Sequence, residues 1–193
     1  MRGSSSTTRG RWTSRSHHGV LSLLTIVVVN DYYGFVAGKL QQEIHQTKAI
    51  GLLEEEAALN IVRTADMLML AVSGVLKPYL LSATQYNVLR ILRGAGKDGA
   101  SCKEIGQRLV ALDPDITRLM DRLQQRGLVV RDRSREDRRV VRHRLTKAGL
   151  ELTNELDRPI EALHQKTMRH MKVEKLRDLI GLLEEIRAGN QEA

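Results

Sequence analysis

Residues 131 to 144 read RDRSREDRRVVRHR, seven arginines in fourteen positions against Asp132, Glu136 and Asp137. Guanidinium groups do one kind of chemistry well at such density. They grip phosphate oxygens through planar, forked hydrogen bonds, and they enter narrow electronegative grooves more readily than ammonium groups because they are more weakly hydrated. The charge is concentrated there. The chain carries a formal net charge of +8, and residues 117 to 147 hold ten arginines and one lysine against four acids, an excess of +7; extending the window back to Asp113 still leaves +5. A polyanionic partner is the physical expectation.

Other chemistries find little support. Aromatic residues make up 3% of the chain, too few for platforms on which single-stranded bases stack. One cysteine, Cys102, excludes an internal disulfide and any cysteine-rich zinc cluster, and fits a reducing compartment. His17-His18, His164 and His170 stand at no recognised ligand spacing. No nucleophile elbow, phosphate loop, catalytic carboxylate pair or metal motif appears, so neither an enzyme nor a cofactor is expected.

The elements that must position the arginines follow from local patterns. In LEEEAALNIVRTADMLMLAVSGVLKP, apolar residues recur at helical spacing from Ala58 to Leu76, acids fill the first turn, and Pro78 ends the run. Ser82 with Gln85, and Ser101 with Glu104, read as two capping boxes, the first placing Tyr86, Leu89 and Leu92 on one face. In LDPDITRLMDRLQQRG, Asp113 is the expected N-cap, Pro114 the first helical residue and Gly127 the residue after the last turn. Ile116, Leu119, Met120 and Leu123 form its buried stripe, which leaves Thr117, Arg118, Asp121, Arg122, Gln124 and Gln125 outside. LVV then reads as a short strand. VVRHRLT alternates Val141, His143 and Leu145 against Val140, Arg142 and Arg144, so that the two strands make a hairpin whose arginines point into solvent. Thr146 caps a helix carrying Leu152, Leu156 and Ile160 through Pro159, an expected kink, and a last helix bears Leu176, Leu179, Ile180, Leu183 and Ile186.

Helix, short helix, helix, hairpin is the order of a winged helix-turn-helix. The fold class expected is mainly α with a small β-hairpin: a winged DNA-binding domain over residues 81–146, flanked by dimerisation helices at 39–80 and 147–193. Residues 1–38 read as a disordered or mis-assigned extension, with translation beginning nearer Val36 or Lys39. Their basic start and ten-residue apolar run also resemble a signal sequence, the one feature favouring a secreted or membrane-associated protein, but the run is too short to span a bilayer.

The stretch DPDITRLMDRLQQRGLVVRDRSREDRRVVRHRLTKAG resembles the recognition helix and wing of the multiple-antibiotic-resistance regulator (MarR) family of transcription factors. The wing pattern D-x-R-D-R-R followed by a strand and L-T-x-x-G is matched by Asp137, Arg138, Arg139, Leu145, Thr146 and Gly149, while Ser134 and Glu136 replace an Asp and an Arg. The likeness runs from about Leu59 to the C-terminus. It implies a cytoplasmic homodimer, a repressor by expectation, that reads a pseudo-palindromic site in double-stranded DNA and is released by a small phenolic or anionic effector; no membrane partner is implied. It assigns Arg138 and Arg139 to the minor groove and Asp137 to fixing the hairpin, with Arg135 supplying charge beside Glu136. Thr117 and Arg118 match DNA-facing positions, with Asp115, Arg122 and Gln125 as neighbours; Arg118 suits guanine and Gln125 adenine. Arg122 and Arg126 could equally touch phosphate or pair with Asp121. A winged protein that binds DNA without choosing sites is the alternative. Cys102 stands at a helix start beside Lys103, where the dipole would lower a thiol pKa, although a partly buried structural role is the plainer expectation. Tyr79 and Tyr86 are expected in the core.

Overall fold

The computed structural model describes residues 39–111, 115–133 and 141–189. Two compact units, Met1–Arg63 and Thr64–Ala193, divide the chain. In the first lie α1 (Leu40–Glu43) and the start of α2 (Leu53–Leu76), whose opening turn carries Glu54, Glu55 and Glu56 at the end of the dipole that favours negative charge. Asn60 there donates its side-chain amide to the Glu56 carbonyl.

The second unit is organised around one core. After α2 a 3₁₀ turn (Lys77–Tyr79) takes in Pro78, and α3 (Ala83–Ala95) and α4 (Cys102–Arg108) follow, each opened by the capping box expected of it: Ser82 with Gln85, Ser101 with Glu104. The third helix of this domain, α5 (Ile116–Gln125), leads through Gly127 into β1 (Val129–Arg133), which pairs antiparallel with β2 (Val141–Leu145) in the register Val129 to Leu145 and Arg133 to Val141. Ala100 adds a bridge to His143, giving the hairpin a short third neighbour. Thr146 then caps α6 (Lys147–Met168), helical through Pro159, and α7 (Val173–Gly189) closes the chain. Leu76, Tyr86, Leu89, Leu92, Ile105, Met120, Leu123, Val129, Leu156 and Ile160 make one buried cluster, so the winged domain and α6 share a core. Arg93 fastens α3 to α6, its guanidinium donating to both carboxylate oxygens of Asp157 at 2.7 and 2.9 Å and to Asn154. That pairing holds the Asp157 carboxyl below its ordinary range.

Three local expectations need correction. The N-cap of α5 is Asp115, not Asp113: its carboxylate accepts the Arg118 N–H at 3.1 Å, and the helix starts at Ile116 instead of Pro114. Either aspartate could supply the cap by residue type, and the described helix uses the second. The first strand runs on past LVV into Arg131, Asp132 and Arg133, because their partners His143, Arg142 and Val141 continue the ladder. And Arg142 and Arg144 do not project freely outward. Arg142 donates to the carbonyls of Asp98 and Gly99 and reaches Glu104, while Arg144 pairs with Asp132 across the hairpin.

A candidate nucleic-acid interface

The candidate surface begins with α5. Its apolar stripe is buried at Leu119, Met120 and Leu123, with Ile116 half-buried, and this fixes which way the rest of the helix faces. Thr117, Arg118, Asp121, Arg122, Gln124 and Gln125 are all exposed. Arg118, Arg122 and Gln125 follow one another at intervals of four and three, a single line along the outer face. Asp115 is exposed at the N-terminus, where its carboxylate is engaged in capping. These five predicted helix residues, Asp115, Thr117, Arg118, Arg122 and Gln125, are therefore brought to one exposed helix. Arg135, Asp137, Arg138 and Arg139 lie outside the described residues, as do Asp113 and Pro114.

Behind this surface the scaffold is held by bonds that, apart from the Ser101 box, sequence patterns do not announce. Asn87 on α3 accepts the Val110 N–H at 3.0 Å, fixing the chain as it leaves α4. Glu104 serves two elements: it completes the Ser101 box through the backbone N–H and hydroxyl, at 2.7 and 2.8 Å, and meets Arg142 of β2. The Ser101 donors, and more weakly Arg142, hold its carboxyl below the usual range. Gly99, at φ 63°, lets β2 approach, since a Cβ there would collide with the His143 carbonyl and the Arg144 side chain. Arg126 is neither paired with Asp121 nor left to phosphate. Its two terminal nitrogens donate to the carbonyls of Leu80 and Tyr79 at 2.6 and 2.8 Å.

Cys102 is half-buried at the start of α4, beside the Thr117 hydroxyl, and burial pushes its thiol up instead of the dipole drawing it down. Half-burial and a raised thiol pKa are in keeping with the plainer expectation of a structural residue and not with the alternative of an activated thiol. Tyr86 is buried as anticipated and Tyr79 half-buried. Among the described residues no three His, Cys, Asp or Glu side chains converge as a metal site.

His143 is the buried residue of β2, 5% exposed, with its Nδ1 unpartnered. Burial lowers its pKa, and Arg131 opposite adds to this. The unfolded chain accordingly takes up a proton first as pH falls through about 6.5. Stability is complete above that value and declines below it until the folded imidazole also protonates. Urea midpoints at pH 7.5, 6.0 and 5.0 should show this decline, and His143→Gln should flatten it; an unaltered pH slope in the variant would assign the decline to other groups.

A capped, polar-faced helix set in a three-helix domain and followed by an antiparallel hairpin defines a winged helix-turn-helix. Comparison with known proteins agrees. The family model described as MarR family matches residues 81–141, from the turn before α3 to the start of β2. The chain is 30% identical over 149 residues to the homoprotocatechuate degradative operon repressor of Escherichia coli, covering 76% of this chain and 93% of that protein. Among solved structures, a MarR transcription factor from Planctomyces limnophilus is 41% identical with a TM-score of 0.54, covering 70% of this chain and 98% of that one. CouR from Rhodococcus jostii RHA1, solved with p-coumaroyl-CoA, is 26% identical with a TM-score of 0.61, covering 71% and 95%. The chain belongs to the MarR family of transcription regulators. It is a DNA-binding regulator and not an enzyme.

Proposed function

We propose that this regulator is a cytoplasmic repressor that binds a pseudo-palindromic operator as a homodimer, with α5 in the major groove and the wing, residues 128–145, in the adjoining minor groove. The observation that carries the reading is the line of Arg118, Arg122 and Gln125 on the exposed face of a helix whose opposite face is locked into the core. Arg and Gln forks match the edges of guanine and adenine, and arginines on a hairpin suit a narrow, electronegative groove. Arg138 and Arg139 are assigned to that groove, Asp137 to holding the hairpin and Arg135 to its charge. The name of the E. coli relative supports repression.

Two copies are supported by apolar surface that the chain leaves uncovered. α2 carries exposed Val62, Met67, Met69 and Leu70, and α7 exposed Leu179, Ile180 and Leu182. By length and composition alone Leu53–Tyr79 could also cross a membrane, but a self-associating face suits a DNA reader better. The effector proposed is a small phenolic or anionic compound, in keeping with the relative named for homoprotocatechuate and the neighbour solved with p-coumaroyl-CoA. Release of bound duplex by salicylate-like acids would support it.

The test is selection of bound sequences from random duplex DNA, followed by titration at fixed salt. Arg118→Ala should weaken binding to the selected duplex and relax its sequence preference, by about 1–3 kcal/mol for a forked base contact. Arg138→Ala should weaken all duplexes alike and reduce the steepness of the salt dependence. Parent-like binding by both variants would overturn the assignment. A chain that selects no sequence would instead be a nucleoid-like DNA binder.

A further inference from the structure

Arg126 is the C-cap residue of α5, and its side chain leaves the reading helix altogether. Nη1 and Nη2 end on the carbonyls of Leu80 and Tyr79, residues 46 and 47 positions earlier, in the turn that terminates α2. That turn is unusual. Leu80 adopts left-handed backbone, φ 54° and ψ 36°, although it is no glycine and its side chain is 79% exposed. Nothing in the packing of that side chain repays the strain, so the reason lies in the backbone. The left-handed residue closes the helix end, where the Leu80 N–H donates to the Lys77 carbonyl and the Leu81 N–H to that of Leu76. The carbonyls of Tyr79 and Leu80, left at that end, both accept from one guanidinium, whose planar fork suits a pair of acceptors. Glu155 of α6 lies close enough to the Tyr79 hydroxyl to raise its pKa.

We propose that Arg126 is a positioning residue for DNA recognition: it ties the C-terminal end of α5 to the turn ending α2, and so sets the angle at which Arg118, Arg122 and Gln125 meet the bases. The inference rests on the proposed reading of α5 as the sequence-reading helix. It adds a route by which displacement of the α2 end reaches that helix without any contact to DNA.

The experiment uses the full chain and its Arg126→Ala and Arg126→Lys variants, titrated against the best duplex selected from a random pool and a scrambled duplex over a range of salt. A strut predicts that both variants lose about tenfold on the selected duplex, because a lysine keeps the charge but cannot span two carbonyls. Binding to the scrambled duplex and the slope of log affinity against log salt stay as in the parent. A phosphate contact would behave oppositely: Arg126→Ala would lose equally on both duplexes with the slope reduced by about 0.9, Arg126→Lys would be near normal, and the proposal would fall. Amide exchange read without DNA provides the independent arm. It should quicken in both variants at Leu80, Leu81 and Leu128 while α3 and α6 keep their protection; unchanged exchange at these three residues would overturn the strut even if binding were impaired. If the parent itself preferred neither duplex, the sequence-reading assignment would fail, and the exchange data would still decide whether Arg126 braces α5.

Discussion

Gly149→Ala should cost about 3 kcal/mol or more of folding stability, seen as a large fall in the urea midpoint. Gly149 is buried in the first turn of α6, and a Cβ there would collide with the Leu128 carbonyl and press on Leu145. The Leu128 carbonyl cannot retreat, because it accepts the Thr146 N–H at 3.1 Å and so fixes the entry to α6. Thr146 closes the same junction from its side chain: Oγ1 donates to the Gly127 carbonyl at 2.7 Å and accepts the Gly149 N–H at 3.0 Å. One methyl group therefore strains a junction joining the end of α5, the base of β1 and the start of α6. Overpacking alone costs about 1–3 kcal/mol, and a lost cap about another 1. Gly94→Ala is the contrast, since nothing lies within 4 Å of its would-be Cβ in α3. There the better helix former should leave stability unchanged or raise it by up to about 1 kcal/mol. Equal midpoints for the two variants would refute the account of the junction.

This junction shows what a sequence discloses and what it withholds. The L-T-x-x-G run after the wing was readable as a family mark and a helix start, but the collision that demands glycine involves Leu128, twenty-one residues earlier. Most local chemistry was legible: both capping boxes, the Thr146 cap, the left-handed Gly127 at φ 68° and the α5 stripe depend on residues within one or two turns of each other. The outward line on α5 was legible for the same reason. The arginines were not, because whether a guanidinium meets solvent or a carbonyl depends on backbone far away, 44 residues for Arg142 and 46 for Arg126. One of these could have been suspected. Period-two parity puts Val130, Asp132, Arg142 and Arg144 on one face of the hairpin, so an aspartate flanked there by two arginines was already a pair in waiting. Asp113 against Asp115 was a different failure: two like side chains two residues apart offer the same cap, and local pattern alone did not decide between them.

Ile180→Glu should split the proposed homodimer into monomers and with that remove binding to the proposed operator. No residue of the seventeen in α7 is buried within its own chain, and Ile180 is 55% exposed beside Leu179 and Leu182. An isolated helix of this length is marginal in water, so an α7 that persists needs a partner for its apolar stripe. In a two-fold assembly each substitution is made twice, and covering one isoleucine is worth about 1.5–3 kcal/mol. Two copies lose at least about 3 kcal/mol before the cost of burying a carboxylate, which raises the dimer dissociation constant roughly a hundredfold or more. Sedimentation at micromolar concentration should then show a monomer where the proposed assembly of the parent is a dimer. Far-UV circular dichroism should retain α2 to α6, because their shared core does not include α7. Affinity for the selected two-fold duplex should fall steeply, since a single winged domain keeps half the contacts and loses the register that the second imposes. A variant that remains a dimer with parent-like operator affinity would remove α7 from the self-association surface.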